Sequence, residues 1–540
     1  MEKRFFLAAV LSLGVLFVFQ GFFNPTKDAT TVNSMKIQQQ FAEKTGSSEL
    51  QTTLNPAIEP VKQPLAFIEK TVVLENKLYR VDVTNKGANV STIFLKQYDY
   101  VFPAKHIATF DAFDNLPFDL DLIQKNKIRG VCQIGSWLIQ KDITLNDNFT
   151  INISFLIKNI VQSGQTFLSK HTNILIDLEK IDKHNALAQI KPNTSDYSLL
   201  EYAVKTDKNI IRKNNATNFN EKWNIQKDVN IEWVSFRDKY FAIIVQPQEV
   251  ETNYNVEYLS SKEIGLKALY AAQVFSPEQS KAYSYTVFAG PQQLDLLKNA
   301  DKSFDQVMVF SDWGWLDAIA KVIHWTLGYI HKVVPSWGLC IIFISLLVYG
   351  AMYPLTLKGL LSMKKLQALQ PKMKELQVKY KDNQEKLSKE IMELYRINQV
   401  NPLGGCLPML LQMPIFVGLY QVLWRSIYFR GESFLWIKDL SLPDHTFKLP
   451  VTIPFLGEYI NILPIVMVLI MGVQQKMNIQ TSAGTEEQVA QQKMMAIMMP
   501  VLIGFIFYNM ASGLNLYFVI FYTLSTLSQW HISKGSKAVV

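Results

Sequence analysis

Histidines are the first side chains in this sequence that could do chemistry, because imidazole binds metals and transfers protons near neutral pH. His106, His171 and His184 are scattered without metal-ligand spacing, and the sequence has no phosphate-binding glycine loop, nucleophile elbow or His-Glu-x-x-His motif. His324 and His331 lie seven residues apart in a helical pattern; a metal pair is one interpretation, and solvated histidines on a polar stripe are the simpler one. We therefore expect no catalytic residue, no metal and no cofactor.

Five long apolar segments in the C-terminal part lack the groups that intramembrane chemistry requires. The segments are residues 338–357, 407–427, 460–473, 494–510 and 514–532. None contains an aspartate, a glutamate or a central histidine. A membrane-embedded enzyme needs paired acids or a nucleophile with its base, and a transporter usually shows internal repeats and coupling-ion ligands. Both classes are disfavoured, and we expect a protein that is not an enzyme.

The N-terminal residues predict a membrane anchor followed by a tether. Lys3 and Arg4 precede an uncharged apolar run over residues 5–23, which at ~1.5 Å per residue approaches the ~30 Å thickness of a bilayer core. Since the run lacks a small-residue cleavage site, residues 1–23 are predicted to be an uncleaved signal-anchor helix with its N-terminus in the cytoplasm. The polar residues 24–60 are predicted to be a flexible tether.

A chain of 540 residues is too long for one ordinary domain, and the region after the tether resembles a soluble protein. Residues 61–310 contain short segments with alternating or β-branched residues, which begin near positions 71, 78, 149 and 282 and are separated by turn-forming pairs. Such a series of short strands predicts an antiparallel β-sandwich on the outer side of the membrane. Residues 194–220 are mostly polar and are predicted to form loops.

The remaining segments complete a predicted polytopic helical membrane core with six transmembrane helices. Residues 311–335 are predicted to be an amphipathic helix on the outer membrane surface, with tryptophans at headgroup level and a polar side carrying Asp317, Lys321, His324 and His331. Residues 358–398 are predicted to be a cytoplasmic helical hairpin with a turn at 382–383, because ten Lys or Arg face five Asp or Glu over 358–396. The polar residues 476–493 and the basic tail 534–540 are predicted to be cytoplasmic.

An ordered set of motifs spans about 200 residues of this helical region. The motifs are Trp337-Gly338, Tyr353-Pro354-Leu355-Thr356, Leu369-Gln370-Pro371-Lys372, Val400-Asn401-Pro402-Leu403-Gly404-Gly405-Cys406-Leu407-Pro408, Gln412-Met413-Pro414-Ile415-Phe416, Gln475-Lys476-Met477, Met499-Pro500 and Ser512-Gly513-Leu514-Asn515-Leu516-Tyr517. In order and spacing this set closely resembles the YidC family of membrane protein insertases. The large domain after the first span resembles, in position and size, the periplasmic domain of the Gram-negative form of that family.

The resemblance implies a five-helix insertase core over residues 336–533 and a location in the bacterial inner membrane. In such a core a polar groove opens to the cytoplasm and to lipid and is closed on the outside. A nascent transmembrane segment enters the groove, its polar flank crosses, and its apolar part moves into lipid. By motif match, the residues expected to line the groove are Ser345, Tyr349, Tyr353, Gln412 and Tyr517. Interhelical hydrogen bonding in a packed bundle is the alternative role for the last two.

One position departs from the family pattern. Bacterial relatives usually carry an arginine just before the Gly-x-Met-Tyr-Pro-Leu stretch of the second span, and here that position is Tyr349. Arg425 lies thirteen residues beyond Gln412, about 20 Å further out on a helix, and is expected to extend to the outer interface. We therefore expect a groove that is polar but uncharged, and less reliance on attraction to acidic substrate flanks.

The resemblance also implies partners. These are nascent membrane proteins, the Sec translocon, lipid, and the ribosome or the signal-recognition receptor, with no role for DNA. The ribosome or receptor contact is expected at basic residues of the hairpin, Lys364, Lys365, Lys372 and Lys374. A receptor whose outer sandwich binds a ligand is the remaining alternative, but it leaves the motifs of the membrane half unexplained.

Overall fold

The computed structural model describes residues 67–535, except for 103, 168–169, 178–200, 214–222, 225–229, 250–251, 261–262, 270–272, 381–382, 399, 401–406, 454–455 and 481–485. The predicted signal anchor, residues 1–23, and the predicted tether, residues 24–60, lie outside the described residues. Cys406 and most of the tail at 534–540 lie outside them as well.

The outer region is built from antiparallel strands. Strands β1 to β12 are Thr71–Glu75, Tyr79–Thr84, Asn89–Leu95, Tyr100–Val101, Ala104–Lys105, Thr109–Phe110, Asp119–Gln124, Lys127–Ile134, Trp137–Leu145, Thr150–Asn159, Gln165–Phe167 and Lys170–Asp177. Strands β13 to β21 are Glu201–Thr206, Ile210–Lys213, Trp223–Asn224, Ile231–Arg237, Phe241–Pro247, Thr252–Ser260, Glu263–Leu269, Gln273–Phe275 and Ser280–Pro291. They form a four-stranded sheet (β1-β2-β3-β4), a nine-stranded sheet (β14-β13-β16-β17-β21-β10-β9-β8-β7), a six-stranded sheet (β15-β18-β19-β12-β5, with β6 on β12) and the pair β11-β20.

The nine-stranded sheet contacts the four-stranded and six-stranded sheets, and the predicted antiparallel β-structure of this region is confirmed. Alternate residues of β9 and β10 are buried, as a sheet with one covered face requires. At one end of this face the Tyr79 hydroxyl of β2 donates to the carbonyl of Ala289, at 2.5 Å. Further along, the Phe110 ring of β6 lies 5.1 Å from both Phe155 and Tyr283. Each of the four segments that predicted strands forms one.

The prediction of loops over residues 194–220 is wrong in the part that is described. Strands β13 and β14 pair there, and β13 adds to the nine-stranded sheet through β16. Glu201 is buried in β13, where arginines neutralise it. A polar composition therefore concealed a strand whose charged residues are paired in the interior.

Helices make up most of the remaining described residues. Helices α1 to α9 are Leu294–Ala300, Gly314–His331, Trp337–Ala368, Gln370–Lys379, Gln384–Ile397, Leu407–Arg425, Ile462–Gln480, Glu486–Phe507 and Ser512–Gly535. The loop between α6 and α7 carries a two-stranded hairpin, β22 (Phe447–Ile453) and β23 (Gly457–Ile460). Of the described helices, one stretch, Trp337–Ser362, has both the length and the apolar composition to span a membrane, and Ile462–Met477 and Ala496–Phe507 are shorter apolar stretches. The count of six spans therefore remains a prediction.

Helix α2 forms where the amphipathic helix was predicted, but its faces differ from the expectation. His324 is buried, with its ring stacked on Tyr428 at 4.9 Å. Burial lowers the pKa of His324 to about 4, so the imidazole is neutral near pH 7. The exposed side instead carries Trp325 and Tyr329. The prediction of a solvated polar stripe is therefore wrong at His324. The ring of Tyr428, more than a hundred residues later in the chain, covers the imidazole.

Two predicted boundaries in the part expected to be cytoplasmic are also wrong. Helix α3 continues through residue 358 to Ala368, so the hairpin proper is α4 and α5. Of its predicted turn at 382–383, Asp382 lies outside the described residues; the Asn383 side chain accepts the Lys386 N–H at 3.0 Å and caps α5. The predicted polar loop over 476–493 is mostly helix, since α7 runs to Gln480 and α8 begins at Glu486. Polar residues here extend helices beyond their apolar parts.

Candidate functional site: a polar seam in the helical bundle

The outer end of the bundle is closed by close contacts at two glycines. A Cβ added to Gly338 would lie 2.1 Å from the ring of Phe434, which belongs to the α6–α7 loop. A Cβ added to Gly513 would lie 3.1 Å from both the Leu440 carbonyl oxygen and the Ile341 side chain. The Gly513 N–H donates to that same carbonyl at 2.9 Å. The Trp-Gly and Ser-Gly motifs thus let the loop seat directly on α3 and α9.

Aromatic stacking reinforces this closure. Trp337 lies between His331 at 3.8 Å and Tyr428 at 4.5 Å, with all three rings nearly parallel. Tyr428 continues the stack to His324. Helices α2 and α3 and the start of the α6–α7 loop are therefore joined at the outer end by buried ring faces.

Inward from this closure, two predicted groove residues meet. The Gln412 side-chain N–H of α6 donates to the Tyr517 hydroxyl of α9 at 2.9 Å. Tyr517 is 1% exposed, and its ring stacks on Phe521 at 6.0 Å. This hydrogen bond links two apolar helices that are distant in the sequence, and the motif match brought the pair to attention before the structure did.

A second pair of predicted residues lies one helical turn further inward. The Tyr349 ring is 5.7 Å from Phe521 and 6.2 Å from Tyr353. The buried Tyr349 hydroxyl faces Ser528 of α9 without a hydrogen bond of normal geometry, whereas Tyr353 is 37% exposed. The two pairs are thus connected through Phe521 into one line, which we call the polar seam: Tyr349, Tyr353, Gln412 and Tyr517.

Ser345 does not join the polar seam. It is completely buried, and its hydroxyl donates to the Ile341 carbonyl of its own helix at 2.6 Å. The sequence reasoning, in turn, missed hydroxyl groups along α9. Ser525 accepts the Gln474 side-chain N–H of α7 at 2.8 Å. Four Ser or Thr residues within 523–528 were a visible signal of a polar face on that helix.

Three motif prolines lie inside helices around the seam. They are Pro354 in α3, Pro414 in α6 and Pro500 in α8. A proline lacks the N–H that would bond the carbonyl four residues earlier, so each leaves a backbone acceptor without its helical donor. Each of these helices therefore offers polar backbone in addition to its side chains.

The seam residues are uncharged, as the sequence predicts. Among the hairpin lysines expected to meet partners, Lys365 and Lys372 are exposed, and the side chains of Lys364 and Lys374 are not among those described. The sequence predicts that Arg425 extends to the outer interface, but its guanidinium bonds a carbonyl of the chain instead. Its Nη1 donates to the Val309 carbonyl at 3.2 Å, in the linker that leads from the sandwich to α2.

The linker is held by a group of buried charges, which we call the outer junction: Glu201, Arg212, Arg237 and Arg425. Arg237 bonds Glu201 at 2.5 Å and donates to the Val309 carbonyl at 3.0 Å. Arg212 bonds Glu201 at 3.1 Å and donates to the carbonyls of Gln306 and Val307. Burial favours the neutral acid, but the two arginines lower the pKa of Glu201 below its ordinary value. The sandwich and the helical bundle therefore share one charged, hydrogen-bonded contact.

Comparison with known proteins supports the family assignment. A family model described as 60Kd inner membrane protein matches residues 329–538, and one described as YidC periplasmic domain matches residues 135–326. The membrane protein insertase YidC of Pelobacter propionicus is 30% identical, and the match covers 99% of each chain. That of Chloroherpeton thalassium is 29% identical over 87% of this chain and 83% of its own.

A solved structure covers the outer domain more distantly. A galactose mutarotase-like protein from Lactobacillus casei aligns with 41% of this chain and 100% of its own, at 8% identity and a TM-score of 0.31. A likeness at this level carries no argument about function. The two family models and the full-length relatives do, and the chain belongs to the YidC family of membrane protein insertases.

Proposed function

We propose that this chain inserts nascent transmembrane segments into the bacterial inner membrane through the polar seam and assists their folding, alone or with the Sec translocon. The observation that carries the proposal is the Gln412–Tyr517 hydrogen bond, an uncharged polar contact between apolar helices just inside a closed outer end. The names of the relatives support the same activity.

The physical chemistry of insertion fits such a seam. An apolar helix gains free energy when it enters hydrocarbon, so the barrier is the passage of its polar flank through an apolar slab. Side-chain amides and hydroxyls, together with the backbone acceptors released by proline, hydrogen-bond a passing backbone and hold water. A groove of this kind shortens the slab without a nucleotide or a metal.

The proposed topology has six transmembrane helices, cytoplasmic N- and C-termini and a periplasmic sandwich. It is supported by the basic residues that flank the predicted spans and by the closure of the bundle at the end next to the sandwich. Exposed lysines of the hairpin, including Lys365 and Lys372, are proposed to meet the ribosome or the signal-recognition receptor. The hairpin lies at the opposite end of α3 from the outer junction.

Tyr349 is proposed to set the preference for substrate flanks. An arginine at this position would attract acidic flanks, whereas a tyrosine offers a hydroxyl and a ring face. The buried hydroxyl of Tyr349 lacks a hydrogen-bond partner of normal geometry, so it is available to a passing polar group. We propose that short neutral flanks are passed best.

Reconstituted vesicles test the activity. The purified full chain, in lipid vesicles without nucleotide, should protect a short-flanked single-span substrate from added protease. Gln412→Leu should reduce this insertion, because it removes the polar contact at the seam. Gln421→Leu makes the same change nearer the outer end of α6 and serves as the matched control. Equal insertion by both variants, or no insertion by the folded wild type, would overturn the proposal.

A further inference from the structure

The loop between α6 and α7 exposes apolar side chains on its β22–β23 hairpin. Phe447, Val451 and Ile453 are 61%, 69% and 41% exposed. They occupy alternate positions of β22, whereas Lys448 and Thr452 lie between them. The Thr452 hydroxyl donates to the Glu458 carboxylate of the opposite strand at 3.3 Å. Because the register shifts between Lys448 and Ile453, these apolar side chains are exposed along the hairpin rather than on one face of it.

Such a hairpin has little to stabilise it in water. Its ladder pairs Phe447 with Ile460 and Lys448 with Tyr459 at the base, and Ile453 with Gly457 near the tip, with an irregular stretch between. An isolated two-stranded hairpin is marginal in water even with a regular ladder. Exposed apolar side chains on such an element indicate a surface that another molecule covers when the protein functions.

A tight turn in the same loop repeats this pattern. Phe434 and Ile437 exchange two backbone hydrogen bonds of 2.9 Å. Between them Leu435 has φ of 52° and is 74% exposed, and Trp436 is 45% exposed. This backbone position of a hairpin turn normally takes glycine, yet here it holds a large apolar side chain outward.

Both features lie at the outer ends of the proposed spans. Helix α7 begins two residues after the hairpin ends. At this helix start the Asp444 carboxylate accepts the N–H groups of Ile462 and Leu463 at 2.7 and 2.9 Å. The Asn461 side chain donates to the Tyr508 carbonyl at the outer end of α8, at 2.7 Å. Phe434 is seated on Gly338 at the start of α3. The hairpin and the turn are thus fixed at the level where these helices emerge.

We propose that the exposed apolar side chains of β22 and the Leu435–Trp436 turn insert into the outer leaflet of the bilayer, with lipid acyl chains as their partner. The proposal rests on the proposed topology. Continuity with α7 places them at the interface, where tryptophan is favoured and Lys448 reaches the headgroups. Interfacial elements of this kind bury their apolar side about 5–10 Å deep. The loop that closes the bundle is thereby also anchored in lipid.

Site-specific fluorescence tests this placement. A single environment-sensitive fluorescent amino acid is placed at Val451 in the otherwise native full chain, reconstituted in lipid vesicles. Glu278, an exposed residue of the outer domain, is the control position. Leu469, in α7 and 65% exposed, reports independently whether that helix crosses the bilayer. Nitroxide attached to lipid chains quenches probes in the leaflet, and iodide quenches probes in water.

The proposal predicts a blue-shifted emission at Val451 that lipid nitroxide quenches and iodide does not, with the reverse at Glu278. Quenching by lipid at Leu469 together with quenching by iodide at Val451 would overturn the proposal and leave the topology intact. Shielding of Val451 from both quenchers would indicate a second copy of the chain as the partner and would also overturn it. Failure of lipid to quench Leu469 would refute the topology instead.

Discussion

The outer junction and the polar seam are both polar regions in the interior of the molecule, and they differ in charge and in completeness. At the junction, Glu201 is bonded by two arginines, and Arg237 and Arg425 converge on one carbonyl. At the seam, the groups are neutral, and the Tyr349 hydroxyl lacks a partner of normal geometry. Buried charges tolerate loss of a partner poorly, whereas neutral hydrogen bonds exchange at a small net cost.

From this difference we expect the junction to be the more rigid region and the seam the more permissive one. A charged contact suits the place where the sandwich must hold the bundle in register. An uncharged and incompletely paired contact suits the place where, in the proposed function, a foreign polypeptide passes.

Removal of the junction carboxylate should have the largest effect. Glu201→Gln leaves Arg212 and Arg237 without their anion, so the free energy of unfolding should fall by about 3–5 kcal/mol, the usual cost of breaking a buried ion pair. Chemical unfolding of the full chain in detergent, with proteolysis of the linker at 306–310 as a second measure, checks this. Glu278→Gln removes an exposed ion-pair partner of Lys158 and is the control. Equal stability of the two variants would show that the junction does not hold the domains.

The glycine contact at the closed end should come next. Gly338→Ala places a methyl group against the Phe434 ring, and such overpacking typically costs about 1–3 kcal/mol. Gly350→Ala in the same helix has open space around the added methyl and should stabilise the chain by roughly 0.5–1 kcal/mol through helix propensity. Thermal unfolding of both variants measures the contrast. A stable Gly338→Ala variant would mean that the loop is not seated on α3.

A buried lysine in the sandwich should give a smaller, pH-dependent effect. Lys141 is completely buried and donates to the Asn89 side chain at 3.1 Å. Burial lowers its pKa from 10.5 to about 7, with Asp114 opposing the shift. Between these values the unfolded chain binds a proton that the folded chain does not, so stability should rise with pH by about 1.4 kcal/mol per unit.

Unfolding at pH 7.5 and 8.5 measures this slope. Lys141→Met should abolish the contribution and stabilise the chain at neutral pH. Lys127→Met, in the neighbouring strand, is the matched control and should retain the slope. An unchanged slope in Lys141→Met would show that the lysine keeps its proton in the folded protein.

The seam substitution should have the smallest effect. Tyr349→Arg introduces a positive charge into the seam and should increase insertion of substrates with acidic flanks. If the attraction between the new arginine and an acidic flank is worth less than about 1.4 kcal/mol, the insertion rate rises by less than tenfold. Insertion of matched acidic-flanked and neutral-flanked substrates in vesicles measures the change. If the variant is expressed normally and inserts acidic-flanked substrates no better than the wild type, charge at this position does not set the preference for substrate flanks.

Local patterns of the sequence predicted much of the fold. Alternation located the strands that begin near residues 71, 79, 150 and 280, and apolar length located the centres of the helices. Strand β13 was missed because its charged Glu201 is paired by arginines distant in the sequence. Helix ends at 480 and 486 were missed because polar residues continue a helix after its apolar part ends.

The site was predicted less evenly, because contacts between helices decide it. The pairing of Gln412 with Tyr517 joins residues more than a hundred positions apart, and only the family motifs suggested it. Ser345 was included by the same match, although its hydroxyl returns to its own helix. The outer junction had no sequence signal, since its four charges come from three strands and one helix.

The substrate path along the polar seam is tested most directly with a photo-crosslinking amino acid at Gln412. The protein is then exposed to ribosomes stalled on a short single-span substrate. If the substrate passes along the seam, it forms an adduct with the crosslinker at Gln412. The adduct should be absent with a soluble nascent chain, and weaker when the crosslinker is at Gln421 near the outer end. No adduct at Gln412, with folded protein and bound ribosomes, would contradict a substrate path along the seam and would favour a packed bundle or a receptor.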